Sequence, residues 1–521
     1  MRVLTAAALD VRMRMRRRGF LMLCLILLVS AFGFVPRESG VSVLVIEGFR
    51  PLSDPSWIPT ACAQAAAVFL PIAGFVYVRT SLDTDRRTGV AAAVRASGAG
   101  RAAYFLGKYA ANLVLLLALL AVMLLGALIM MLLRFPGQGC SIWAFVSPFF
   151  AAAPGLCLVA GLALLLEVPG RTPAGRALGN AMFAALWLTL FSLGVILPAE
   201  SASPAVRTLG CFLEFTGYGW QSASLEMQTG AHANYFLSWV PEGSEALPPL
   251  AFSGLAWDPR QFAAKLLLLF IGPALALFAA ALYPRQEKGR AVRRDGKART
   301  DAPRPKRQGG RLPAYQPLPP GRACLGWPRL LAAECRLFFT GLPLVWGLVL
   351  AGVWIACLFA PRELAQSVLF PLVMGGAFLL FGRMGCRLQR HGPLELVRTA
   401  EGGPLRQLTA EWGAGTLASI LAALPVAARG GLAGEWNAAA ACLALAAAVP
   451  AVAQMCGLFT RSERLFEIGL LLFVFIELNT GEVYGLAAGS AEGGKAVFLL
   501  LLAAISLALS VLKRNAEGRQ R

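Results

Sequence analysis

Twelve stretches of this 521-residue chain are each apolar over most of a membrane's thickness. A helix rises roughly 1.5 Å per residue, so about 20 apolar residues cross a hydrocarbon core of about 30 Å. The stretches lie at about 19–35, 58–78, 108–133, 145–166, 177–197, 262–283, 339–359, 364–382, 409–428, 436–458, 465–478 and 495–512. The ends of the sixth and the eleventh are the least sharply marked. Hydrophobic residues make up 57% of the chain, against roughly 45–50% in soluble globular proteins. The expected fold class is therefore all-α: a polytopic helical membrane protein with about twelve transmembrane helices. A transmembrane β-barrel would show short alternating strands instead.

Lys and Arg set the orientation of such a chain, because they are retained on the cytoplasmic side. With the N-terminus inside, the cytoplasmic segments hold most of the 48 basic residues but only half of the 28 acidic ones. The reversed topology puts that excess on the wrong side. The net charge of +20 is thus a topology signal, and no basic domain stands apart that would bind nucleic acid. The start MRVLTAAALDVRMRMRRRGFLMLCLILLVSAFGF has the basic head, apolar run and small-residue site, Val29-Ser30-Ala31, of a signal peptide. The repeat described next favours an uncleaved first span.

Residues 75–109 align with 378–412 without a gap. Arg87 meets Arg390, Gly89 meets Gly392, Val94-Arg95 meets Val397-Arg398, Gly100 meets Gly403, and Lys108 meets Glu411. The starts also match: LTAAALDVR at 4–12 resembles RLLAAECRL at 329–337, with Asp10 over Glu334 and Arg12 over Arg336. The expected organisation is two six-span halves in the same orientation, 1–283 and 326–521. They are joined by a basic, Pro/Gly-rich cytoplasmic linker at 284–325 whose composition gives it nothing to fold around.

Between the second and third stretches the chain reads SLDTDRRTGVAAAVRASGAGRAAYFLGKYAANLV (81–114). A connecting loop needs only a handful of residues. This one has helix-forming character over Ala91–Ala96, a break at Gly98 and Gly100, and a second helical run from Arg101 to Lys108. It predicts a cytoplasmic helical hairpin, with a second at 383–412. Two matched protrusions suit docking of a cytosolic partner; the plainer reading is a pair of solvated positive-inside loops. No phosphate-binding loop is present: Gly107-Lys108 is followed by Tyr109 and lacks the upstream glycine.

The run D-x-D-R-R-x-G at 83–89, followed by VRASGAGRAAYFLGKYAAN at 94–112, resembles the first cytoplasmic loop of type-2, exporter-class ABC transporter permeases, in the fused form with both halves in one chain. Basic, partly amphipathic segments precede each half, like that family's interfacial elbow helix, with Leu4, Ala8, Val11 and Met15 on one face. The resemblance extends to PGLCLVAGLALLLEVPGRTPAGRALGNAMFAALW at 154–187. It implies a bacterial plasma-membrane export permease with both termini cytoplasmic, driven by a separate cytosolic ABC ATPase dimer. ATP and Mg would be bound by that partner, with no cofactor, metal or catalytic residue in this chain. The implied coupling residues are Asp83, Asp85, Arg86, Arg87, Gly89, Arg95, Gly107 and Lys108 in the first hairpin. In the second they are Arg387, Arg390, Gly392, Arg398 and Glu411. There Cys386-Arg387 replaces Asp83-Thr84 and Glu411 replaces Lys108, so the first hairpin is expected to couple more strongly.

Other residues have plainer readings. The outer segment 198–260 carries Tyr218, Trp220, Tyr235, Phe236, Trp239 and Trp257, which read as headgroup anchors; the resemblance adds short re-entrant helices capping the exit path. Glu167, Glu467 and Glu477 fall at span ends and read as headgroup-facing. The eleven cysteines contain no C-x-x-C pair, and Cys140 and Cys211 could pair or be simple small apolar residues. His232 and His391 are the only histidines, so no histidine-based metal site is proposed. Two other functions remain. A secondary transporter of the major facilitator type also has twelve spans in two halves, but with a short loop after the second span. A membrane-embedded lipid-modifying enzyme needs a polar catalytic cluster that the sequence does not offer.

Overall fold

The computed structural model describes residues 2–33, 41–96, 100–168, 173–196, 203–230, 234–239, 246–283, 326–339, 344–361, 364–365, 369–378, 381–387, 403–470 and 494–519. The linker 284–325 lies outside them, as do Glu477, His232 and His391. Among the described residues the chain is almost wholly helical, and seven helices are long and apolar enough to cross a membrane. Three shorter apolar helices cover Arg18–Ala31, Met182–Gly194 and Gly347–Phe359. The chain is therefore a helical, multi-pass membrane protein.

The order is α1 (Arg2–Met15), α2 (Arg18–Gly33), β1 (Val41–Ile46), α3 (Trp57–Val78), α4 (Ser81–Arg87), α5 (Val90–Ala96), α6 (Arg101–Arg134) and α7 (Ile142–Glu167). There follow α8 (Pro173–Ile196), α9 (Pro204–Leu213), α10 (Tyr218–Thr229), β2 (Asn234–Trp239) and α11 (Pro259–Leu282). After the linker come α12 (Gly326–Phe339), α13 (Leu344–Phe359), α14 (Phe370–Phe378), a 3₁₀ turn at Phe381–Arg383, α15 (Gly403–Leu432), α16 (Trp436–Thr460) and α17 (Gly494–Arg519). A helical stretch over 464–470 begins the eleventh apolar stretch.

Several helix starts are written locally. Ser141 Oγ accepts the Ala144 amide at 3.1 Å at the start of α7. Ser203 and Asp258 cap α9 and α11 in the same way, each followed by a proline at the first helical position. Proline fits there because its missing N–H has no partner in the first turn.

Helix α3 is the hub of the first core. Its most apolar window is 94% buried, against 17% for the peripheral α17. It packs on α6 and α7, and α7 packs on α11. Close helix contact is set by small residues: a Cβ on Gly161 would lie 2.3 Å from the Gly272 carbonyl oxygen of α11, the small-residue packing used where lipid supplies no hydrophobic drive. A second core joins α13, α14, α15 and α16. The partnership of α1 with α6 recurs as α12 with α15.

β1 and β2 pair antiparallel, with Val41 opposite Trp239 and Ile46 opposite Asn234. Two expectations for the first hairpin are corrected. The hairpin's second arm is not a separate helix, because α6 runs unbroken from Arg101 into the membrane-length segment. Its first arm is two short helices, α4 and α5, divided at Gly89, whose φ of +78° is the left-handed conformation that glycine adopts without a steric cost.

Candidate functional site

The expected coupling residues of the first hairpin gather at one end of the bundle, the end that also carries α1. Asp85, on α4, is buried. Its carboxylate accepts the Tyr104 hydroxyl at 2.6 Å and pairs with Lys108 Nζ at 2.8 Å. Lys108 is also buried and reaches Asp10 of α1 at 3.3 Å. Asp10 in turn pairs with Arg14 at 2.6 Å, and Arg14 donates to Asn112 Oδ1 at 2.8 Å. Two acids and two bases from α1, α4 and α6 thus neutralise one another away from water. The loss of one member of such a cluster leaves an uncompensated buried charge, which costs about 3–5 kcal/mol.

Glu167, the last residue of α7, is buried rather than turned to the headgroups. Its carboxylate accepts the Asp83 amide at 2.8 Å and the Ser81 hydroxyl at 3.2 Å. It caps the start of α4 from another helix, satisfying first-turn amides that have no partner within the helix. Arg86 donates to the Tyr283 hydroxyl at 3.4 Å, with its guanidinium 5.3 Å from that ring, and Arg101 donates to the Tyr283 carbonyl at 2.9 Å. Side-chain contacts therefore tie α1 and α4 to the ends of the three long helices α6, α7 and α11. Gly107 is buried on α6. Arg87 closes α4 and Arg95 lies in α5; their side chains are outside the described residues.

At the second hairpin Glu334 of α12, the position matched to Asp10, pairs with Arg387 and accepts Gln407 Nε2 at 2.7 Å. Glu411, matched to Lys108, accepts the Gly385 amide at 3.0 Å and Gln454 Nε2 at 3.2 Å. The charge at the long-helix position is reversed, Lys108 in α6 against Glu411 in α15. Each arrangement still ties a short helix to a long one, α1 to α6 through Asp10 and Lys108 and α12 to α15 through Glu334 and Gln407. Arg390, Gly392 and Arg398 lie outside the described residues.

Several members of these clusters were not among the expected site residues: Asp10, Arg14, Tyr104, Glu167, Tyr283 and Glu334. The usable signal was the coincidence of Asp10 and Glu334 in the repeat, with Arg14 one turn after Asp10. Within α1, Ala7, Asp10 and Arg14 are buried and Val11 packs against the core, while Ala8 and Met15 of the expected stripe are exposed, as are Leu9 and Met13.

At the opposite end, α9 and α10 are joined by a buried turn, Glu214–Gly217. Glu214 Oε2 lies 2.6 Å from Lys265 Nζ of α11, and Oε1 accepts the Thr216 amide at 2.6 Å. Burial works against ionisation of Glu214, but Lys265 and the Thr216 hydrogen bonds hold its pKa below the usual carboxylate value. Tyr218 and Trp220 are buried in this cap, contrary to the headgroup reading, whereas Trp257 is exposed. The side chains of Tyr235, Phe236 and Trp239 are outside the described residues. Cys140 and Cys211 are both free. Among the described residues no group of three or more His, Cys, Asp or Glu side chains could hold a metal.

No protein-family model matches this sequence, and no curated protein matches it significantly.

Proposed function

We propose that this chain is the membrane-spanning permease of a type-2 ABC export system, with twelve spans in two parallel six-span halves and both termini in the bacterial cytoplasm. A separate cytosolic ATPase dimer would dock beneath the two hairpins, bind ATP and Mg, and drive the halves between inward- and outward-facing states. The observation that carries this reading is the tie at the base of the first hairpin: Asp85 and Lys108 join α4 to α6, and Asp10 joins both to the elbow helix. A force applied to the hairpin reaches the long helices through packed, charge-neutral contacts rather than through a slack loop. A hairpin of this size after the second span is foreign to the major facilitator arrangement.

The test is affinity purification of the full chain together with ATPases of its native host. Capture of one ATPase is expected, with ATP hydrolysis dependent on both proteins and weakened by Arg87→Ala at equal membrane levels. Nucleotide binding at physiological affinity by the chain alone, or full activity with no ATPase present, overturns the proposal.

A further inference from the structure

Where α1, α3 and the 464–470 helix meet, several arginines come together. Arg464 donates to the Tyr77 carbonyl at 2.9 Å and lies 5.6 Å from the centre of the Tyr77 ring. The Tyr77 hydroxyl donates to the Arg14 carbonyl at 3.2 Å. Arg14, Arg17 and Arg79 are all within electrostatic reach of Arg464. Asp10 serves Arg14, Asp85 serves Lys108, and Glu467 serves Arg79 at 2.6 Å. Among the described residues no carboxylate pairs with Arg17 or Arg464. Arg79 Nε is buried and has no hydrogen-bond partner. Exposed Arg383 and half-buried Glu463 form a separate 3.9 Å pair nearby.

Like charges brought together in a partly dry place repel strongly, and a desolvated guanidinium without an anion is costly. The arrangement is explained if an anion joins it. Two guanidiniums and a spare N–H from a third offer more donors than one carboxylate accepts, and guanidinium forks match the oxygens of a phosphate. Leu9 and Met13 of α1 are 56% and 60% exposed, giving an apolar surface next to the arginine run that ends α1 at Arg14, crosses the turn at Arg16 and Arg17 and opens α2 at Arg18. That combination fits an acyl chain beside a headgroup.

We propose that Arg17, Arg464 and the Nε of Arg79 form a binding site for a phosphate-type anion at the seam between α1, α3 and the 464–470 helix. The site requires no ATPase, so its failure and that of the permease reading are separate outcomes.

The test uses full-length protein in detergent, stripped of lipid. It is titrated with phosphatidylglycerol, phosphatidylcholine or inorganic phosphate, and the bound species are read by native mass spectrometry. Phosphatidylglycerol is expected to be retained over phosphatidylcholine. Arg464→Gln and Arg17→Gln should each weaken retention about tenfold, the worth of one charge-assisted hydrogen bond. Arg464→Lys should weaken it less, and Arg50→Gln, at the other end of the bundle, should leave it unchanged. Displacement of the lipid by millimolar inorganic phosphate assigns the site to a free anion, and no displacement assigns it to a headgroup. Should Arg464→Gln fail to fold, surface-exposed Arg17→Gln decides the question. Variants that bind phosphatidylglycerol and phosphate as the unaltered chain does overturn the site.

Discussion

The buried pair Glu214–Lys265 shows how a single side chain can hold two helices and a turn. Lys265 Nζ contacts both the Glu214 carboxylate and its carbonyl oxygen, at 2.6 and 2.5 Å. Lys265→Ala should lower stability by about 3–5 kcal/mol, because Glu214 then stays buried without its cation. The double variant Lys265→Met with Glu214→Gln should recover part of that loss. The pH dependence follows from the depressed pKa of Glu214. Its contribution is fully present above the ordinary carboxylate range and is lost as pH falls through the lower, folded value. Denaturant unfolding in detergent at neutral and acid pH reads both effects. An acid loss from this pair should be absent from the double variant, and an equal loss in both would reject the assignment.

At the scale of elements, the junction of α9 and α10 depends on close backbone approach. Gly217 has φ of +91°, and a Cβ there would sit 2.2 Å from the Ala151 carbonyl oxygen. A Cβ on Gly155 of α7 would sit 2.2 Å from the Phe215 carbonyl oxygen. Turn and helix are therefore pressed together from both sides. Gly217→Ala combines a left-handed backbone with overpacking and should cost about 2–5 kcal/mol. Gly230→Ala is the comparison: its φ is +64°, but nothing lies within 4 Å of its would-be Cβ, so only the conformational cost of about 1–2 kcal/mol applies. Thermal unfolding of the two variants in parallel checks the order, and an equal shift in both would show that the packing contact contributes nothing.

For the whole molecule, the informative contact is one that joins residues nearly four hundred positions apart in the chain. Arg79, at the end of α3, pairs with Glu467 at 2.6 Å, and both side chains are mostly buried. Gly382, the repeat mate of Arg79, also abuts Glu467: a Cβ there would be 3.4 Å from Glu467 Cγ. Two repeat-related positions thus converge on one carboxylate. Arg79→Glu should separate the two parts of the chain, and Arg79→Glu with Glu467→Arg should restore their contact. Disulfide trapping between cysteines introduced at Tyr77 and Arg464 in each background provides the readout. A trapping yield that ignores the single exchange would remove this pair as a link. A coupling of about 1–3 kcal/mol is the usual range for contacting residues.

Much of the local order was legible in the amino-acid sequence. Among the described residues seven of the twelve apolar stretches coincide with membrane-length helices and three with shorter ones, and Ser141, Ser203-Pro204 and Asp258-Pro259 mark helix starts where they stand. The helical arms of the first hairpin were readable between α3 and α6. These features depend on transfer out of water and on backbone preferences over a few neighbours, which the chain carries with it wherever it folds. Pairing was not legible in that way. Nothing near Val41–Ile46 names Asn234–Trp239 as its strand partner, and nothing near Glu167 names α4 as the helix it caps. Asp85 and Lys108 read equally well as solvated docking charges or as a buried pair. The choice depends on what surrounds them, since a charge is stable in water or beside an opposite charge but not alone in an apolar interior. The sequence by itself determined where helices form and which of them can enter a membrane; only the tertiary structure decided which charges meet, because that depends on residues brought together from distant parts of the chain.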